Sequence, residues 1–276
     1  MNKNINEKVV NGFGKEWSRF DQSSLNEKEL YEMFLSYFSI FPWNKLSKDS
    51  VGFDLGCGSG RWAKFVAPHV GLLHCIDPSE QALNVAKVNL KSMNNCIFDQ
   101  ASVDHIPLND GSADFGYSLG VLHHVPDTET GIKVCVAKLK KGAPFLLYLY
   151  YAFDNKPFWY RMIWQFSNIV RLLISRMPFP LKYITSQIIA LFIYLPLARV
   201  ANLAANIGIN IDSFPLSYYR NRHFYTMRTD ALDRFGTRLE KRFTRDQILS
   251  MMQQAGLDHI KFSNKAPFWC AIGYKV

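Results

Sequence analysis

The sequence predicts an α/β fold in which a mostly parallel, doubly wound sheet is interrupted by a helical insertion. Three observations support this class. At 51–62, an apolar run passes through a glycine-rich turn into helical periodicity. A second apolar run stops at Asp77. Residues 152–242 then follow the fifth predicted strand with helical rather than alternating periodicity. The 276 residues suffice for one filled core and an accessory region.

Charge and cysteine content limit the functional classes. The five cysteines are scattered without a Cys-x-x-Cys pair, so we expect neither a disulfide framework nor a bound metal, and a reducing, cytoplasmic setting. The polar N-terminus does not read as a secretory signal. Within 152–242 there are 13 Lys and Arg against 5 Asp and Glu, which accounts for most of the net charge of +9. This local excess predicts an anionic partner near that segment.

The first 46 residues predict two helices. Phe13, Trp17 and Phe20 recur at helical spacing, and the simplest interpretation is a helix that packs this aromatic stripe on the core. Residues 25–43 predict an amphipathic helix that Pro42 ends.

The remaining periodicity predicts seven strands and places the domain boundaries. Thr244 and Gln247 form a capping box for a last helix that Gly256 ends. The predicted strands are 51–55, 72–76, 96–98, 114–118, 143–151, 259–263 and 268–274. The predicted domains are an N-terminal helical flap at 1–46, a ligand-binding core at 47–151, a helical cap insertion at 152–242, and a closing segment at 243–276.

The glycine-rich turn fits two ligand classes. A dinucleotide fold requires Gly-x-Gly-x-x-Gly, but here the third glycine comes one residue early and Arg61 stands in the slot for close helix packing. The alternative is Asp-x-Gly-x-Gly-x-Gly, formed by Asp54, Gly56, Gly58 and Gly60. A carboxylate ahead of the glycines suits a ligand that carries an ammonium group. The acid that ends the second strand, Asp77, is placed to bind ribose hydroxyls.

In these residues the sequence resembles the class I S-adenosylmethionine-dependent methyltransferases, especially the group related to ubiquinone and sugar methyltransferases. The resemblance covers 50–151 and 243–276. It implies S-adenosylmethionine as cofactor and a seven-stranded sheet with an antiparallel C-terminal hairpin. It also implies a set of cofactor contacts: Asp54, Gly56, Gly58 and Gly60 on the methionine part, Asp77 on the ribose, Ser102 and Val103 on the adenine, backbone carbonyls of Leu119 and Gly120 near the amino group, and Trp17 in a flap over the cofactor. Ser102 stands where the family commonly has an aspartate.

Two histidines end the fourth predicted strand, at the edge of the sheet where open α/β folds bind ligands. His123 or His124 could act as a general base, since imidazole titrates near neutral pH and can accept a proton from a hydroxyl nucleophile. The alternative is that both histidines are structural, capping the next helix or bounding the pocket.

The first half of the insertion predicts two or three amphipathic helices, broken at Pro178, Pro180 and Pro196. Its most apolar portion, 183–198, has 16 residues and is shorter than the ~18–20 that a spanning helix needs. Three interpretations remain open for 158–206: a cap enclosing the acceptor, a homodimer interface, or a peripheral contact with the inner face of the membrane.

The second half of the insertion interleaves aromatic and basic residues. The acceptor-binding candidates are Tyr218, Tyr219, Arg220, Arg222 and His223. Arginine presents a fixed fork of donors to carboxylate or phosphate, so we expect a small, anionic acceptor. A solvated basic face is the alternative, and nucleic acid is less favoured because no RNA-binding module is readable.

Together these features predict methyl transfer to an oxygen or nitrogen of a small acceptor, with a sugar or saccharide-linked metabolite preferred. The first alternative is a lipid or quinone-like acceptor at the membrane surface. The second is a cofactor-binding protein without catalytic activity, because a fold alone does not establish chemistry.

Overall fold

The computed structural model describes residues 4–276, which form two compact units. Unit 1 comprises 4–22, 30–152 and 239–276, and unit 2 comprises 23–29 and 153–238. The predicted N-terminal segment begins at residues outside the described part of the chain. Each unit has its own buried core.

Unit 1 is built on a seven-stranded sheet. Its strands are β1 (Val51–Leu55), β2 (Leu72–Asp77), β3 (Cys96–Gln100), β4 (Phe115–Leu119), β5 (Pro144–Tyr148), β6 (Leu257–Phe262) and β7 (Ala271–Lys275). The order across the sheet is β3-β2-β1-β4-β5-β7-β6, in which β7 alone runs opposite to the other six strands. The predicted fold class, a mostly parallel sheet closed by an antiparallel hairpin, is confirmed.

Ten α-helices lie in the described part of the chain. They are α1 (Glu7–Arg19), α2 (Glu27–Tyr37), α3 (Ala63–Val66), α4 (Glu80–Asn89), α5 (Thr128–Lys138), α6 (Phe158–Ile174), α7 (Phe179–Ile189), α8 (Leu195–Asn206), α9 (Phe224–Gly236) and α10 (Arg245–Gln254). Polar N-cap side chains begin several of them by accepting a backbone N–H of the first turn. The predicted capping box of Thr244 and Gln247 is present at α10.

Helices cover the sheet and bury a continuous apolar core. Phe53 of β1 and Phe145 of β5 are fully buried, as are Ile132 of α5 and Ile248 of α10. Burying each of these side chains contributes roughly 1.5–3 kcal/mol to folding. The buried runs on β1, β4 and β5 are nearly continuous, as expected for central strands covered on both faces.

The strand order reverses between β1 and β4. The chain moves outward from β1 through β2 to β3 and then returns to the other side of β1. Where the order reverses, the connections after the two strands diverge and leave a crevice at the carboxyl ends. The glycine turn after β1 and the His-containing turn after β4 both begin at this edge.

Unit 2 is helical and centred on α9. The hydrophobic cluster contains Met227, Ala231 and Phe235 from α9, with Ile174 from α6 and Tyr194 from the segment between α7 and α8. Arg171 is buried in the same unit, where its Nη1 donates to the carbonyl of Thr237 at 2.8 Å. The buried Glu29 accepts the Thr226 hydroxyl at 2.6 Å and the His223 N–H at 2.9 Å.

The predicted helix break at Pro196 is wrong. Pro178 and Pro180 do lie at the start of α7, but α7 continues through a π-helical turn, Ala190–Tyr194, directly into α8. A proline ring normally clashes with the carbonyl one turn earlier in a helix. We attribute the continuity to the π-helical turn, which widens the backbone at this point and makes room for the ring.

The length argument against a spanning helix is also wrong. The continuous helix Phe179–Asn206 has 28 residues and is long and apolar enough to cross a bilayer, with 22% of its most apolar window buried. Length and composition do not decide whether it crosses one. One side of this helix, which carries Ala190, Tyr194 and Ala198, is buried in the core of unit 2.

Candidate cofactor site

The turn after β1 adopts a conformation that only glycine takes readily. Gly56, Gly58 and Gly60 all have positive φ, at 77°, 54° and 75°. Space is limited as well, because a Cβ on Gly58 would lie 2.9 Å from Nε1 of Trp17. Trp17 therefore lies against the backbone of the turn, with no room for a side chain between them. The contact fits the predicted flap and equally fits structural packing of α1.

Asp77 joins the end of β2 to the glycine turn. Its Oδ2 accepts the Gly58 N–H at 3.0 Å, and its Oδ1 accepts the Ser79 N–H at 2.9 Å. Burial raises the pKa of Asp77 to about 6, while the two N–H donors act against this rise. Each carboxylate oxygen can accept more than one hydrogen bond, so ribose hydroxyls could still bind here.

Asp54 is the most perturbed carboxyl of the site. It lies on β1, is almost fully buried, and its Oδ2 has no hydrogen-bond partner among residues 4–276. Burial raises the pKa of Asp54 to about 8, and the hydroxyl of Tyr117 beside it acts against this rise. A buried carboxyl oxygen without a partner is costly. An ammonium group would supply both the missing donor and the compensating charge, which is the feature expected of an S-adenosylmethionine site.

Tyr117 is a site residue that the sequence analysis missed. It is fully buried on β4, and the register of the parallel pair sets it directly opposite Asp54. Burial, together with the negative charge of Asp54, raises the pKa of its phenol well above the usual range, so it stays protonated. Alignment of the two predicted strands could have found it, but their relative register was not fixed by the sequence.

The residues predicted to contact adenine and the amino group follow strand ends. Ser102 and Val103 come after β3, where a 3-10 turn begins at Val103. Leu119 ends β4, and Gly120 has a φ of 78°. The Gly120 N–H donates to the Tyr148 carbonyl at 2.9 Å, which fixes this bend against β5. The structure thus brings these positions to the same edge of the sheet as Asp54 and Asp77.

The two histidines have different surroundings. His123 is fully buried, and its ring centroid lies 3.9 Å from those of both His124 and Tyr150. Burial lowers the pKa of His123 well below its usual value, and repulsion from a protonated His124 and from Arg242 acts in the same direction, so this ring is neutral. Neither ring nitrogen of His123 has a hydrogen-bond partner in the described chain.

His124 is held in one tautomer. Its Nδ1 lies 2.6 Å from the carbonyl oxygen of Leu239, and a carbonyl only accepts, so the proton is on Nδ1. When the ring is neutral, its lone pair is then on Nε2. The ring of Phe13 packs against His124 at 4.9 Å between centroids. This arrangement orients His124 as a base requires, and it is also compatible with a purely structural role.

The predicted acceptor residues all lie in unit 2. The Tyr219 hydroxyl donates to Asp230 at 2.8 Å, and the Arg222 guanidinium lies 5.2 Å from the Tyr218 ring centroid. Arg220 donates to the Ser217 carbonyl at 3.3 Å. The His223 side chain is 61% exposed. The Tyr219 hydroxyl therefore makes a contact within unit 2, whereas the His223 side chain is accessible to solvent.

The sheet order of unit 1 is that of the class I methyltransferase fold. Residues 53–147 match the family model described as a methyltransferase domain. That segment of the chain therefore resembles a methyltransferase domain in sequence.

Curated relatives match about a third of the chain. The chain is 30% identical over 106 residues to a ubiquinone biosynthesis O-methyltransferase from Coxiella burnetii, covering 38% of this chain and 44% of that protein. The protein of the same name from Vibrio parahaemolyticus is 31% identical over 91 residues, or 32% of this chain and 39% of that one. The chain thus matches less than half the length of these relatives.

Solved structures share the fold at low sequence identity. A chain from the complex of the Haloferax volcanii Trm112 methyltransferase activator with a methyltransferase has a TM-score of 0.53 and 12% identity, over 95% of this chain and 96% of that one. A SAM-dependent methyltransferase from Thermotoga maritima has a TM-score of 0.50 and 15% identity, over 96% and 100%. At these identities the likeness concerns the fold alone.

Proposed function

We propose that the protein transfers a methyl group from S-adenosylmethionine to an oxygen or nitrogen of a small acceptor. The observation that carries this proposal is the partnerless, buried Oδ2 of Asp54 beside the glycine turn. A dinucleotide phosphate at that position would meet a carboxyl group and be repelled, whereas the ammonium of S-adenosylmethionine would be attracted.

The proposed cofactor contacts come mainly from residues at the carboxyl ends of the strands. Asp54 would hold the ammonium group and Asp77 the ribose hydroxyls. The remaining contacts would come from the turn Gly56, Gly58 and Gly60, from Ser102 and Val103 on the adenine edge, from the carbonyls of Leu119 and Gly120, and from Trp17 over the turn. When bound, the cofactor supplies a methyl group on a positively charged sulfur. The role of the chain is to fix this group in line with the acceptor and to exclude water.

An acceptor hydroxyl must also lose its proton, and we assign this task to His124. The Leu239 carbonyl fixes the proton on Nδ1, so in the neutral ring Nε2 carries the lone pair that would accept a proton. His123 is fully buried and neutral, and it would form a wall of the pocket and pack against the His124 ring. An amine acceptor would transfer without this base if it arrives unprotonated.

The preferred acceptor is a small anionic molecule, and among such molecules a sugar or saccharide-linked metabolite is preferred. Support comes from Arg220, Arg222 and His223, which bring two guanidinium groups and an imidazole into one short segment, with the Arg222 guanidinium 5.2 Å from the Tyr218 ring centroid. A homodimer formed through the insertion is compatible with this acceptor.

A lipid or quinone-like acceptor at the membrane surface is the second candidate. Two observations favour it: the relatives are named as ubiquinone biosynthesis enzymes, and α6 and the helix Phe179–Asn206 expose many large apolar side chains. A non-catalytic cofactor-binding role is the third candidate.

One experiment separates the three. The purified chain is incubated with S-adenosylmethionine carrying a labelled methyl group and with a bacterial extract, which is then partitioned into aqueous and lipid phases. We expect label in an anionic aqueous product, with cofactor binding lost in Asp77→Ala and kept in the surface control Asp110→Asn. Label in the lipid phase supports the second candidate. Bound cofactor with no labelled product would overturn the catalytic proposal.

A further inference from the structure

Unit 2 exposes an apolar surface far larger than its fold requires. On α6 the exposed side chains include Phe158, Trp159, Met162, Ile163, Phe166, Ile169, Leu172 and Leu173. On the helix Phe179–Asn206 they include Leu181, Ile184, Ile188, Leu191, Phe192, Ile193, Val200 and Leu203. Apolar patches of this extent on a soluble protein mark an interaction site.

The helix Phe179–Asn206 is apolar on two sides. One of these sides packs against the rest of unit 2. Its buried positions are Ser186, Ala190, Tyr194, Ala198 and Ala201, which recur every three or four residues. Three of them, Ala190, Tyr194 and Ala198, join the core formed with α9. The exposed apolar residues fall outside this repeat and so lie on other sides of the helix. To span a bilayer, the helix would have to leave this core. The packing favours a helix that lies in the plane of a membrane.

Charge distribution indicates which partner covers this surface. Residues 155–211 contain six Lys and Arg and no Asp or Glu. Three of these cations, Arg161, Arg176 and Arg199, are exposed. A second copy docking through the same surface would bring like charges together with no acid in either copy's segment to pair them. An anionic bilayer accepts both the apolar side chains and the cations.

The start of α6 has the composition of a membrane interface. Phe158 and Trp159 are exposed and are followed by the exposed Arg161. Aromatic rings gather at the level of the lipid headgroups, and a neighbouring arginine can reach the phosphates.

We propose that unit 2 binds the surface of an anionic lipid bilayer through α6 and the helix Phe179–Asn206, lying in the membrane plane without crossing it. The surface belongs to unit 2 alone, so the proposal does not rest on methyl transfer. It deepens the second acceptor candidate, because a protein held at a bilayer meets lipid-soluble acceptors.

The test is co-sedimentation of the full chain with vesicles of phosphatidylcholine, with and without phosphatidylglycerol, at low and high salt. We expect binding to the anionic vesicles and weaker binding at high salt. The double variant Phe166→Glu, Phe192→Glu changes two side chains that are each 70% exposed, so the core of unit 2 is untouched. It should lower the vesicle partition coefficient at least about a hundredfold.

Two further variants control the interpretation. Val88→Glu changes an apolar residue of α4 that is 68% exposed in unit 1, and its partition coefficient should match the wild type. Arg161→Gln with Arg176→Gln should lower binding to anionic vesicles by about fivefold per cation and leave binding to neutral vesicles unchanged.

Three results would overturn the proposal. The first is that the wild type does not sediment with anionic vesicles at low salt. The second is that the Phe166→Glu, Phe192→Glu variant binds these vesicles as well as the wild type does. The third is that light scattering shows a dimer of the wild type without lipid and a monomer of this variant. Binding of S-adenosylhomocysteine, measured on every variant, confirms that unit 1 is intact. It also separates failure of the membrane proposal from failure of the cofactor assignment.

Discussion

Replacing Asp54 by asparagine should stabilise the free protein and weaken its hold on the cofactor. The carboxyl oxygen Oδ2 is buried without a partner, and burial raises the pKa of Asp54 to about 8 from an ordinary value of 3.8. In the unfolded chain the same group ionises at its ordinary pKa. Folding at neutral pH therefore requires this carboxyl to take up a proton or to remain charged in a low-dielectric site.

The sign and size of the stability change follow from the difference between the pKa values of Asp54 in the folded and unfolded chain. Because the folded-state pKa is raised, the group contributes most to stability below pH 3.8, and this contribution is lost as the pH rises toward about 8. Between pH 3.8 and pH 7 the loss is on the order of 4 kcal/mol, an upper value because water and side-chain movement relieve it. Asparagine does not titrate, so Asp54→Asn should be more stable than the wild type at pH 7, with the difference shrinking in acid.

Cofactor affinity should change in the opposite direction. A hydrogen bond to a charged group contributes about 1.5–3 kcal/mol, so the loss of the carboxylate should weaken S-adenosylmethionine binding by roughly 10- to 150-fold. Chemical denaturation at pH 5, 7 and 8 and isothermal titration calorimetry measure the two effects. Asp110→Asn is the matched control, since Asp110 is exposed and pairs with Lys138 on the surface. If Asp54→Asn binds the cofactor as tightly as the wild type and shows no gain in stability, the assignment of Asp54 is wrong.

Two other substitutions probe the same edge of the sheet. Gly58→Ala places a Cβ 2.9 Å from the Trp17 indole at a φ of 54°, so it should lower stability by about 1–3 kcal/mol and weaken cofactor binding, as measured by thermal unfolding and calorimetry. Gly111→Ala, also at positive φ but in open space, isolates the backbone cost. His124→Asn should lower kcat with cofactor affinity unchanged if the acceptor is a hydroxyl, and retained turnover would remove His124 from proton transfer.

The local signals in the sequence were enough to predict the sheet. Apolar runs that end in acids, glycines that need positive φ, and the capping box at Thr244 depend on neighbouring residues, and the structure places strands and turns at those positions. The predicted fifth strand, 143–151, ends earlier, at Tyr148, because the segment beyond it pairs differently.

Long-range contacts could not be predicted in this way. Tyr117 faces Asp54 only because β1 and β4 pair in one particular register. The tautomer of His124 depends on the carbonyl of Leu239, 115 residues away in sequence. Pro196 reads as a helix breaker unless the π-helical turn before it is known. In each case the decisive partner is fixed by tertiary structure or by backbone geometry that residue type does not encode.

The most direct test of the cofactor assignment is a crystal structure of the protein with S-adenosylhomocysteine. Our account predicts the ligand amino group within hydrogen-bond distance of the Asp54 carboxylate and the ribose hydroxyls on Asp77, with the glycine turn against the methionine part. Density for the ligand elsewhere, or a cavity that admits a nicotinamide dinucleotide and not S-adenosylhomocysteine, would contradict it.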